Sequence, residues 1–60
     1  LMNVIKKELR AVAERYGDER RTEIVRAGEV VDVFYTQDGF AAIRYGKVIA
    51  FVDLNDLSQG

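Results

Sequence analysis

The dipeptide Asp38-Gly39 stands between two runs rich in β-branched and aromatic residues, 30–36 and 40–45. Asp-Gly suits a two-residue turn whose central residues both take positive φ, and that turn joins strands whose twist it matches. Residues 30–45 are therefore expected to form a β-hairpin. Gly46-Lys47 offers a second tight turn before another apolar run, residues 48–52. Upstream, residues 22–26 hold β-formers, and Ala27-Gly28-Glu29 is a turn candidate. Together these signals predict an antiparallel β-meander of three or four strands over residues 22–52.

The first quarter of the chain carries a different period. Met2, Ile5, Leu9, Val12 and Tyr16 are spaced 3, 4, 3 and 4 residues apart. That is a heptad seam over two repeats, with Lys6, Lys7, Arg10, Glu14 and Arg15 between its positions. It predicts an amphipathic helix over residues 1–17, with Gly17 placed to end it. The seam can cover the sheet or pair with another helix as a coiled coil, so its five residues are candidate interface positions. Residues 53–60 are a polar tail with one helical turn. The expected fold class is thus α+β in a single small domain: one N-terminal amphipathic helix followed by the meander.

The strand pattern sets Val31, Val33 and Tyr35 on one face, and Val30, Asp32, Phe34 and Thr36 on the other. On the next strand Phe40, Ala42 and Arg44 oppose Ala41, Ile43 and Tyr45. Both faces hold apolar groups. One helix covers one face, so the other is expected to meet a second copy or the rest of a parent protein. Leu1 in place of Met also points to a longer parent chain.

Composition removes most chemistry. The chain has no His and no Cys, which excludes Ser/His/Asp and Cys/His catalysis and thiolate metal sites. The glycines are isolated and form no phosphate loop. The carboxylates Asp18, Glu19 and Glu23 lack metal-site spacing, so no metal is expected. Tyr16, Tyr35 and Tyr45 read as packing residues. No run is long enough to cross a bilayer as a helix, and a cytoplasmic location without membrane contact is expected. Residues 1–28 carry seven basic and five acidic side chains, a balance of +2, whereas residues 29–60 carry two and five, a balance of -3. The second half therefore repels nucleic acid. Arg20-Arg21 is the candidate phosphate contact, since adjacent guanidiniums can grip a phosphate backbone.

The stretch Tyr16-Gly17-Asp18-Glu19-Arg20-Arg21-Thr22-Glu23-Ile24, placed after an apparent helix, resembles one point in one family. It is similar to the exit of the stalk helix in the A subunit of bacterial type IIA DNA topoisomerases, DNA gyrase and topoisomerase IV. Residues 29–43 more loosely resemble the first strands of the C-terminal pinwheel of that subunit. Ala42 and Ile43 stand where the family carries basic residues, and its glycine-rich basic box is absent. The resemblance implies a piece of a machine that changes DNA topology with Mg²⁺ and with ATP held by a partner B subunit. This piece would position the DNA-binding C-terminal region and contribute no catalytic residue. The alternative reading is a free-standing interaction module, such as a homodimer, with no role on DNA.

Overall fold

The computed structural model describes residues 2–15 and 19–59, with the side chain of Gln59 left aside. It contains seven strands: β1 (Asn3–Ile5), β2 (Leu9–Arg15), β3 (Glu19–Val25), β4 (Val30–Gln37), β5 (Phe40–Tyr45), β6 (Val48–Asp53) and β7 (Leu57–Gln59). A 3₁₀ turn, Leu54–Asp56, separates the last two. Every pairing is antiparallel, and the spatial order is β3-β2-β6-β5-β4-β1-β7.

Of the expected meander over residues 22–52, only β4, β5 and β6 lie side by side; the strand that holds residues 22–25, β3, pairs with β2 instead of β4, so Ala27-Gly28-Glu29 is not a hairpin turn. Gln37 pairs with Phe40 across Asp38-Gly39, and these two residues have φ of 50° and 85°, the signature of a type I′ turn. Tyr45 pairs with Val48 across Gly46-Lys47, where only Gly46 has positive φ. The polar tail does contain one turn of helix, capped by Asp53 accepting from the Asn55 N–H at 2.8 Å, but it continues into β7, which pairs with β1.

The N-terminal helix is not formed. Residues 3–5 and 9–15 are strands, and no described residue is in an α-helix, so the α+β fold class and the coiled coil both give way to an all-β architecture. The reason lies in a second periodicity in the same residues. Leu9, Ala11 and Ala13 alternate with Arg10, Val12 and Glu14, and this period of two places the first set inward and the second outward. A lone helix of about 15 residues is marginal in water. As a strand, β2 instead satisfies its backbone on both sides, pairing with β3 from Leu9↔Val25 to Arg15↔Glu19 and with β6 from Val12↔Phe51 to Glu14↔Ile49. The heptad positions consequently scatter. Ile5 is buried, Leu9 packs at the core margin, Met2 and Val12 are exposed, and Tyr16 lies outside the described residues, as does Gly17.

The sheet curls around one core drawn from all its parts: Ile5, Ala11, Ala13, Val25, Val31, Ala41, Ile43, Val48, Ala50 and Val52. These are four alanines, four valines and two isoleucines, so the half-open barrel is narrow. Backbone bonds extend the ladders that β1 makes with β4 and β7 beyond the strands themselves. The Ile5 N–H donates to the Glu29 carbonyl at 3.0 Å, the Gly28 N–H donates to the Ile5 carbonyl at 2.8 Å, and the Lys6 N–H donates to the Asp56 carbonyl at 2.9 Å. Gly28 takes φ of 86° there, a left-handed conformation open to glycine at no steric cost.

A core this small in a chain of 60 residues is expected to supply no more than about 3–5 kcal/mol of stability. Ile43 is fully buried, and Ile43→Ala is expected to cost about 2–5 kcal/mol. Urea denaturation at 25 °C should find the variant's midpoint lowered by at least about two-fifths, or the variant already unfolded without urea. A variant that unfolds at the wild-type midpoint contradicts this account of the core.

Candidate interaction surface

Strands β3, β2, β6, β5 and β4 present an outer face as well as an inner one, and their registers order its side chains into rows. The central row runs Thr22, Val12, Phe51, Ala42, Tyr35, one residue from each strand. None of the five is charged. One flanking row runs Arg20, Glu14, Ile49, Arg44, Asp32, and the other includes Ile24, Arg10, Asp53, Phe40 and Gln37.

A β-bulge completes the central row. Val33 pairs with Ile43 and Tyr35 pairs with Ala42, so Phe34 is the extra residue of β4. Without it, Tyr35 would follow Val31 and Val33 inward, as simple alternation predicts. The bulge instead turns Tyr35 outward beside Phe34 and returns Thr36 to the side of Ala41. Phe34 and Tyr35 are 50% and 49% exposed, an unusual state for two adjacent aromatic rings in a strand. The Arg44 guanidinium lies 5.9 Å from the centre of the Phe34 ring, within cation–π range.

The rings form a chain across three strands. Tyr35 meets Phe40 edge-on with centroids 6.5 Å apart, and Phe40 meets Phe51 edge-on at 6.0 Å. Each such pair contributes about 0.5–1.5 kcal/mol beyond its buried area. Beneath them Ala42 has no exposed surface, yet it is no part of the core cluster. Its outward methyl group is roofed by its neighbours Tyr35, Phe40 and Phe51. Beside this roof, Val12, Glu14, Arg20, Phe40 and Phe51 line a shallow groove of about 270 Å³. At its rim Arg20 Nε lies 3.2 Å from Glu14 Oε2, an exposed ion pair of about 0–1 kcal/mol.

Arg20 and Arg21 do not converge. Neighbours on a strand point to opposite faces. Arg20 is outward against Glu14, while Arg21 lies on the other face with its Nε 3.1 Å from Glu23 Oε1. No group of three or more metal-binding side chains occurs among the described residues, and none of their helices is long and apolar enough to cross a membrane.

The role of Tyr45 escaped the sequence reading. Its O–H donates to Glu29 Oε1 at 2.9 Å, and its oxygen accepts from the Arg26 N–H at 3.3 Å. This clasp ties the end of β5 to the turn between β3 and β4. The tyrosine stands 16 residues from Glu29 in sequence, and no local pattern announces the contact.

No family model, curated protein or solved structure matches the chain. The surface must therefore be read from its own geometry: a solvent-facing apolar row, an aromatic roof and a groove beside it.

Burial, and then the hydrogen bond to Glu29, raise the Tyr45 pKa above its ordinary value of 10. The folded state holds the neutral phenol more strongly than the unfolded chain does. The stabilisation is fully present below about pH 10 and is lost as pH rises through the folded pKa of Tyr45. Ultraviolet titration should resolve a tyrosine phase above the ordinary value of 10, and Tyr45→Phe should abolish that phase and cost about 1–2 kcal/mol at neutral pH. Ionisation of all the tyrosines in a single phase at the ordinary value contradicts the clasp.

Proposed function

We propose that the chain is a non-catalytic interaction module whose working surface is the outer apolar row of the sheet. One observation carries the reading: Val12 and Tyr35 in the row, with Phe34 and Ile49 beside it, are 40–51% exposed on a face that no other described element covers. Contiguous apolar surface of this kind marks sites of association in folded domains. The absence of His and Cys from the sequence removes the commonest catalytic groups and agrees with a binding role.

A second reading has one specific observation in its favour, the nine consecutive residues Tyr16–Ile24. In it, this module belongs to a type IIA DNA topoisomerase A subunit and supports ATP-dependent change of DNA topology by positioning the C-terminal DNA-binding region. Mg²⁺ and ATP would act elsewhere in that assembly, the ATP on the B subunit. Arg20 and Arg21 would be its nearest contacts to DNA. Glu14 and Glu23 already engage them, so the isolated module is expected to bind duplex DNA more weakly than about 10 μM at physiological salt. Fluorescence anisotropy measures this, and a submicromolar, salt-resistant complex would contradict the charge balance on which the expectation rests.

An interaction surface differs from a core in what its removal does to the isolated fold. When urea titration is run near 1 μM, Val12→Lys should change unfolding free energy by about 1 kcal/mol or less, as exposed strand positions do, and Tyr35→Ser by about 1–2 kcal/mol, since it also removes the ring pair with Phe40. A loss matching that of Ile43→Ala would make the row part of the folding core and remove the interaction reading.

A further inference from the structure

We infer that the occupant of the outer row is a second copy of this chain, packed sheet to sheet about a two-fold axis. The inference rests on the reading of that row as an interaction surface. Charge chooses the partner class. The strand residues of the face carry Arg10, Arg20 and Arg44 against Glu14, Asp32 and Asp53. Three cations and three anions leave no net charge, so a copy is not repelled. A nucleic acid, whose affinity comes largely from neutralised phosphates, gains nothing from such a face. In the flanking row the signs run Arg20, Glu14, Ile49, Arg44, Asp32, and an alternating row can meet its own rotated image with opposite charges opposed.

Shape points the same way. Tyr35 projects at the β4 end of the row, and the groove of about 270 Å³ lies at the β2 and β6 end. A two-fold operation places the Tyr35 ring of each copy over the groove of the other, since residue i then meets j and j meets i. Among the described residues the Tyr35 hydroxyl has no hydrogen-bond partner, and Glu14 at the groove rim presents a carboxylate able to accept one. A tyrosine entering an apolar groove needs such an acceptor. Two sheets stacked in this way form a sandwich whose shared layer is the present outer row. A standard interface of about 800 Å² per partner would take roughly a fifth of the 4267 Å² accessible surface, or most of this face.

Sedimentation equilibrium between about 1 and 200 μM tests the inference. The wild type should approach twice the 6.8 kDa chain mass at the upper end. Val12→Lys sets a charge in the middle of the row and should weaken association at least tenfold, and Tyr35→Ser should do the same by emptying the groove. Val30→Lys alters an equally exposed valine, 59% accessible, outside the row, and should leave association unchanged. A wild type that stays monomeric at 200 μM overturns the inference, as does a dimer that Val30→Lys breaks and Val12→Lys spares. A monomer whose anisotropy titration with oligo-dT is abolished by Tyr35→Ser assigns the row to nucleic acid instead. In those cases the near-wild-type stability of Val12→Lys at 1 μM still supports an interaction face. A core-sized loss there removes that face and the dimer together.

Discussion

The narrowness of the barrel interior governs the rest of the molecule. Seven short strands curl around a space filled by alanine, valine and isoleucine, with Leu9, Val33, Tyr45 and Leu57 at its margins. Ala13 and Ala50 face each other across β2 and β6, and Ile43 sits opposite Ala50 from β5. Interiors pack at crystal-like density, so larger side chains at these points would push the strands apart. Phe34, Tyr35, Phe40 and Phe51 have no place inside and are left to the outer surface. The same constraint that keeps the core small thereby creates the aromatic face.

The bulge in β4 reconciles two demands on one strand. Val31 and Val33 serve the core, while Phe34 and Tyr35 serve the outer surface, and strict alternation cannot place both of the latter outside. One extra residue changes the phase. The result is a row of uncharged side chains that spans five strands and is bordered by charged ones, of which Arg20 and Glu14 form an ion pair. Those borders are weak as stabilising contacts. Their balance of sign instead sets which partners the face accepts.

Stability and function are divided between the two sides of one sheet. The inner side and the Tyr45 clasp hold the fold, so substitutions there act on folding. The outer row carries exposed groups whose contribution to the isolated chain is small. A domain of this size buries only about 60% of the surface its unfolded chain exposes, which leaves it little stability to spare. Packing the outer row against a partner adds buried apolar area where the fold has most left to gain.

The sequence by itself determined the elements whose cause is local. Asp38-Gly39 and Gly46-Lys47 fixed two turns through positive φ, and the alternation of Phe40, Ala42 and Arg44 with Ala41, Ile43 and Tyr45 assigned the faces of β5. It also indicated apolar groups on both faces of the sheet. It pointed to the wrong element at residues 2–15: Met2, Ile5, Leu9 and Val12 read as a helical seam, although the alternation of Leu9, Ala11 and Ala13 also fits the strand that forms. Alanine, arginine and glutamate favour the helix locally, and only tertiary pairing with β3 and β6 reverses that preference. The outward turn of Tyr35, the divergence of Arg20 from Arg21, and the reach of Tyr45 to Glu29 were likewise decided by the tertiary structure. Each depends on strand register, which is set by the summed burial and backbone pairing of residues far apart in sequence, and no local spacing encodes that sum.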